Sequence, residues 1–131
     1  MKAFLDTNVL LSAYYFNGNE RRVLRKAIDG EFTAVTSPLV IKEVANIMSH
    51  KFREDTVGIG RFLEALLKVL VLKMDAPCDV PDLSGSDCIL LSTARGAGCD
   101  FFVTGDKKIL NLGCIGGMRI VNSREFLKEF P

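Results

Sequence analysis

Two runs of three consecutive apolar residues, Ala3-Phe4-Leu5 and Phe101-Phe102-Val103, constrain the fold of this chain more than any other feature. Neither run alternates with polar residues, so neither suits a strand with one face in water. Both suit strands covered on both faces, as in a parallel sheet packed between helices. The first stops abruptly at Asp6, and Asp106 follows directly on the second, after Thr104 and Gly105. Further β-rich runs lie at Phe32 to Val35, near Val71 to Met74, and at Arg119 to Val121.

Helical signals fill the intervals. After an apolar stretch from Val9 to Phe16, Asn17, Gly18 and Asn19 turn the chain into a basic helix ending at Asp29 and Gly30, with Val23, Leu24, Ala27 and Ile28 as its inner stripe. Ser37 followed by Pro38 pairs a capping hydroxyl with a residue already fixed near helical φ, which puts Glu43 on a helix. Thr56 to about Leu70 is a longer helix with Phe62, Leu63, Leu66, Leu67 and Leu70 on one face. A turn through Pro77, Pro81 and Ser84 to Ser86 leads to a helix from Asp87 to Arg95, stopped by Gly96 and Gly98. Asn122 with Glu125 resembles a capping box for a C-terminal helix. Strands that alternate with helices favour right-handed crossovers and a parallel sheet, and in open sheets of that kind ligands gather beyond the carboxyl ends of the strands. Asp6 and Asp106 both fall there.

At 131 residues the chain has the size of one domain, and we expect a single unit from residue 1 to 131. A formal net charge of +1 means that any polyanionic partner is held by local patches, not by overall charge. Cys78, Cys88, Cys99 and Cys114 contain no Cys-x-x-Cys pair and His50 is the only histidine, so a structural zinc site is not expected. The four cysteines are expected to be reduced, half-buried residues. The first apolar run is too short for a signal peptide and no stretch approaches membrane-spanning length, so the expected compartment is the cytoplasm.

A carboxylate at a sheet rim is partly desolvated, which raises its pKa unless hydrogen bonds or a cation compensate. Asp6, Glu43, Asp87 and Asp106, brought to one place, would repel one another and attract a hard divalent ion; oxygen ligands without Cys or His select Mg²⁺ or Mn²⁺. Each acid also has a structural reading: Asp6 and Asp106 as turn residues, Glu43 as a solvated helix charge, Asp87 as a helix cap. Thr7, Asn8 and Thr104 can orient carboxylates or water from behind, or stabilise turns.

These residues carry a resemblance. Phe4-Leu5-Asp6-Thr7-Asn8-Val9-Leu10, Glu43 in a Pro38-led helix, Asp87 before Ile89-Leu90-Leu91-Ser92-Thr93-Ala94, and Val103-Thr104-Gly105-Asp106-Lys107 together resemble the PIN-domain ribonucleases, including VapC-like toxins. The resemblance implies a three-layer α/β/α fold with a five-stranded parallel sheet, Mg²⁺- or Mn²⁺-dependent ribonuclease activity, and often a toxin role beside an antitoxin protein. It assigns the acidic catalytic and metal positions to Asp6, Glu43, Asp87 and Asp106. Many relatives carry another acid two positions after the last aspartate, where this chain has Lys108, which bears on how many metals bind.

Arg21, Arg25, Arg95 and Lys107 are candidate contacts to RNA phosphates, with a solvated helix face as the plainer explanation for the first pair. Tyr14, Tyr15 and Phe16 divide between base stacking and core packing. Val57, Ile59 and Val69 lie off the main face of their helix and suit a partner or homodimer surface. Two other functions use the same residues: a phosphatase of the haloacid-dehalogenase type, which needs an acid where Asn8 stands, and a non-catalytic module binding RNA or an antitoxin. No Walker loop or Gly-x-Gly-x-x-Gly fingerprint is present.

Overall fold

A computed structural model describes residues 1–130; Pro131, the last residue of the expected domain, lies outside them. Strand β1 (Lys2–Leu5) runs into helix α1 (Thr7–Tyr15), followed by α2 (Asn19–Ile28), β2 (Thr33–Thr36), α3 (Pro38–His50), α4 (Thr56–Val69) and β3 (Val71–Leu72). A long loop then leads to α5 (Gly85–Gly96), β4 (Phe101–Val103), α6 (Lys107–Leu110), β5 (Cys114–Ile115), β6 (Met118–Val121) and α7 (Ser123–Leu127). No helix is long and apolar enough to cross a membrane among the described residues.

The sheet has the order β3-β2-β1-β4-β6-β5. Five of its strands are parallel, as expected; the sixth, β5, is a short antiparallel addition that pairs with β6 through a Gly116-Gly117 turn. Two residues give too little periodicity for β5 to be seen in the sequence. The chain steps outward from β1 through β2 to β3, then returns to the other side of β1 for β4 and β6. This reversal makes the gap beyond the carboxyl ends of β1 and β4 the place where such sheets bind ligands. Ala3, Phe4, Leu5 and all of β4 are buried, so both faces of the central strands are covered and the fold is three layers deep. Phe4 and Phe102 stack at 5.2 Å across the neighbouring strands. On the other side of the core, Phe126 of α7 meets Phe32, Phe101 and Phe130 edge-on. Truncating so central a ring costs about 3–5 kcal/mol.

Several sequence expectations are corrected. Ile28 is exposed, because it is the last residue of α2 and Gly30, at φ 74, turns the chain away before anything packs on it; Val23 and Ala27 carry the inner face. On α4 the buried line is Phe62, Leu66 and then Leu70, four residues apart, while Leu67 is exposed and Leu63 only half-buried. The strand expected to reach Met74 stops at Leu72 and is an exposed edge. Helix α5 begins at Gly85, two residues before Asp87.

Cys78 and Cys88 are joined in a disulfide, against the expectation of four reduced cysteines, while Cys99 and Cys114 are free. The bond forms because residues 73–84 fold back along α5: Ala76 N–H donates to Thr93 Oγ1 at 2.8 Å, Asp79 N–H to Ser92 Oγ at 3.0 Å, and Arg95 pairs with Asp79 at 2.7 Å. That return path brings the two Cα atoms within 5.1 Å, inside the range a disulfide spans.

Candidate metal and nucleic-acid site

Asp6 is placed by the backbone on both sides. Its N–H donates to the Val103 carbonyl of β4, continuing the β1–β4 ladder in which Leu5 faces Val103, and it then caps α1. The register therefore puts Thr104 beside Asp6. Thr104 is fully buried and its hydroxyl meets three partners: it donates to Asp6 Oδ2 at 2.8 Å and accepts from Asn8 Nδ2 at 3.3 Å and from the Asp106 N–H at 3.1 Å. That exhausts what one hydroxyl can do. Asn8 also donates to Asp6 Oδ2, and its Oδ1 accepts from the Gly105 N–H at 2.8 Å. A Cβ on residue 105 would sit 3.3 Å from Asn8 Oδ1, so the glycine allows this close approach. Thr7 works in two directions: its N–H donates to Asp6 Oδ1 and its hydroxyl to Glu43 Oε2 at 3.1 Å.

The four acids line one cleft of about 610 Å³, together with Asn8, Ser12, Asn46 and others. Burial pushes the Asp6 carboxyl above its ordinary value; hydrogen bonds from Thr104 and Thr7 oppose this, and the charges of Asp87 and Asp106 add to it. Glu43 is raised for the same leading reason, against its Thr7 bond and with help from Asp6, Asp87 and Asp75. Asp87, in the first turn of α5, is exposed and has no hydrogen-bond or ion-pair partner among the described residues. It does not cap the helix: the capping residue is Ser84, whose side chain makes no capping bond. Asp106 caps the short α6 through Lys108 N–H at 2.9 Å. Among the described residues no three acidic, histidine or cysteine side chains are gathered as a ready-made ligand set. The acids surround the cleft without closing on one point.

The candidate RNA contacts are elsewhere. Arg21 donates to the carbonyls of Ala13 and Tyr14 and so satisfies the end of α1; with Arg25 it lines a separate groove beside Tyr14 and Phe62. Arg95 is bound to Asp79, about 12 Å along α5 from Asp87. Lys107 is exposed beside Asp106 but outside the residues lining the cleft. Those residues include His50, Lys51, Phe52 and Phe16 at the cleft's other end, which no motif in the sequence links to the acids. The signal was present: Glu43, Asn46, Ile47 and His50 fall on one helical face. Of the three adjacent aromatics, Tyr15 stacks on Phe52 and Tyr14 packs on Phe62, while Phe16 stays exposed.

A doubly wound parallel sheet with acids collected at its switch point defines an α/β class in which the crevice beyond the carboxyl ends of the strands is the usual ligand position. Residues 2–108 match the family described as PIN domain, and the chain belongs to that family. Solved structures share the fold. Against PAE2754 from Pyrobaculum aerophilum the TM-score is 0.69 at 18% identity, over 98% of this chain and 88% of that one. Against VapBC2 from Rickettsia felis, crystallised with a DNA fragment from its promoter, the TM-score is 0.66 at 16% identity, over 93% and 98%. The PIN domain of human SMG5 gives 0.56 at 16% identity with both chains fully covered. A sequence search of curated proteins finds no match.

Proposed function

We propose that the chain, taken as one unit over residues 1–131, is a metal-dependent ribonuclease and the toxin of a toxin–antitoxin pair. The observation that carries this is the convergence of Asp6, Glu43, Asp87 and Asp106 on one cleft at the sheet's switch point. Their oxygens suit a hard divalent cation. Mg²⁺ retains several waters and is commonly held by one or two carboxylates, which agrees with acids that surround a cleft without closing on one point. In this reading Asp6, Glu43, Asp87 and Asp106 hold Mg²⁺ or Mn²⁺, which would supply an activated water and neutralise charge developing on the phosphate.

The protein's own part is orientation. Thr104, Asn8 and the Thr7 N–H fix both oxygens of Asp6, so this carboxylate cannot swing away when the cleft fills. Thr7 ties Glu43 to the same frame. Asp87, with no partner among the described residues, is available to face the cleft and whatever cation or water occupies it. Exposed Val57 and Leu67 on α4 support a protein partner, either the antitoxin or a second copy forming a homodimer, whereas Ile59 and Val69, expected on that surface, are half-buried against the core. A cytoplasmic setting belongs to this reading, although the Cys78–Cys88 bond is more at home in an oxidising compartment.

Cleavage of single-stranded RNA in Mn²⁺, abolished by chelator and by Asp6→Asn, is the expected result; cutting that survives both would reject the assignment. A second reading has a specific observation behind it: Lys108 stands where the family resemblance expects a further acid, which fits a non-catalytic RNA- or antitoxin-binding module. Calorimetry with Mn²⁺ separates the two, since only the nuclease requires a heat of binding that Asp6→Asn removes.

A further inference from the structure

The acidic cleft continues along α3 to a region of different chemistry. From Glu43 to His50 is about 10 Å along the helix axis. At the near end the walls are carboxylates; at the far end they are Phe16, Phe52, His50 and Lys51, and Lys51 is the only lysine or arginine among the lining residues.

Phe16 is 61% exposed, at the residue where α1 ends. Burying such a ring is worth about 1.5–3 kcal/mol, and the fold leaves it in water at the edge of a polar cleft. Phe52 is held differently. One face lies on Tyr15, with ring centroids 3.9 Å apart and planes 15° apart, and Lys51 Nζ stands 5.7 Å from its centroid. Tyr15 is itself anchored through its hydroxyl to Glu54. The turn after α3 sets these positions: Arg53 has φ 53, and Glu54 N–H reaches back to the Met48 carbonyl at 2.9 Å. A non-glycine residue in the left-handed region costs roughly 1–2 kcal/mol, and here that cost maintains the turn that delivers Lys51 and Phe52 to the cleft.

We propose that this far end is a subsite for an unpaired nucleotide of the RNA, with its base against the exposed ring of Phe16 and its phosphate at Lys51. The inference rests on the nuclease reading and adds to it the residues that hold one unpaired nucleotide beyond the acids. An unpaired base offers a free π face to an aromatic ring, whereas a base inside a duplex has both faces covered. The phosphodiester chain is repelled by the carboxylates, so a neighbouring cation helps to hold the strand while one phosphate lies among the acids.

Fluorescence anisotropy of a labelled oligouridylate tests this, with the full chain in chelator so that binding is read without cleavage. The same oligonucleotide annealed to its complement serves as the duplex. The single strand is expected to bind at least about 10-fold more tightly than the duplex, and Phe16→Ala to weaken it roughly 10-fold, with Phe16→Tyr restoring the affinity. Lys51→Ala should weaken binding and reduce the slope of log affinity against log salt by about 0.7. Equal binding by Phe16→Ala and the parent, equal binding of duplex, or no binding of the single strand overturns the subsite. Cleavage in Mn²⁺ is measured alongside. RNA cut normally by both variants sinks the subsite alone; no cutting by the parent sinks the ribonuclease reading, while variant-sensitive binding would then leave the subsite standing in a non-catalytic module.

Discussion

The two walls of the acidic cleft are fixed by different means. On the strand side, Asp6 and Asp106 sit where sheet register delivers them, and Thr104, Asn8 and Thr7 tie them together with short hydrogen bonds. On the helix side, among the described residues, the Glu43 side chain has a single hydrogen bond and that of Asp87 has none, so their positions depend on how α3 and α5 pack. The helix wall is secured at a distance, through the disulfide and the polar contacts that bind residues 76–79 to α5. A strand-end acid is thus located by the backbone itself, whereas a helix-borne acid is located by whatever holds the helix.

Removing the charge at the centre of the strand wall should have the largest effect. Asp6→Asn is expected to reduce cleavage by more than about 100-fold, beyond the 10- to 100-fold typical of residues that only support a metal ligand. It also changes how stability depends on pH. Asp6 and Glu43 have folded-state pKa values raised chiefly by burial, so the folded protein retains these protons to higher pH than the unfolded chain does. Their stabilisation is fully present below the ordinary carboxylate range, about pH 4, and is lost as pH rises through the raised folded values. In chelator, the denaturation midpoint of the parent relative to Asp6→Asn should therefore fall as pH rises from about 4 toward neutrality. A relative midpoint that climbs over that interval would mean that the carboxylate is stabilised, not strained, where it stands.

Opening the disulfide probes the helix wall. Closing a loop with a sequence separation of 10 is worth roughly 2–3 kcal/mol in the chain-entropy description, so reduction should lower the stability by about that amount, as read from urea midpoints with and without dithiothreitol. Cys78→Ser, at an exposed position, should match the reduced protein. Cleavage should also drop, since α5 carries Asp87; unchanged activity in the reduced protein would show that the three polar contacts hold the helix by themselves.

Thr104→Val tests the strand wall without altering charge. The isosteric change leaves the Asp106 N–H, Asn8 and a buried oxygen of Asp6 each short of a partner. Stability should fall by about 1–3 kcal/mol, and cleavage by about 10- to 100-fold. Thr104→Ser, which retains the hydroxyl, should recover most of the activity; failure of that rescue would assign the loss to packing of the methyl group.

The same division governs what can be read from the sequence. Unbroken apolar runs locate β1 and β4, and an acid that ends such a run must sit at the sheet rim, so Asp6 and Asp106 were legible from local pattern alone. Ser37 and Pro38 fixed the start of α3, and counting along that helix from Glu43 would have reached Asn46 and His50. Nothing local reveals that Cys78 lies beside Cys88, since the return of residues 73–84 onto α5 is a long-range event. Nor does a count of basic residues distinguish Arg21, occupied with helix carbonyls, and Arg95, paired with Asp79, from Lys51, which reaches the cleft. Stripe width misleads in a similar way: Ile28 and Leu67 continue their periodic patterns past the point where the core ends.

The smallest expected effect on stability belongs to Asp87, and there the two walls should differ most clearly. An exposed carboxylate with no partner among the described residues contributes little to folding, so Asp87→Asn should change stability by no more than about 0.5 kcal/mol. Its charge is nevertheless part of the acid group that raises Asp6 and Glu43, so the substitution should bring both carboxyls closer to their ordinary range and flatten the metal-free pH profile slightly. Cleavage should fall about 10-fold or more with the fold intact, the dissociation of activity from stability that a functional surface acid requires. Full activity in Asp87→Asn would leave three acids to the site and remove α5 from its chemistry, in which case the disulfide beside it would serve the fold alone.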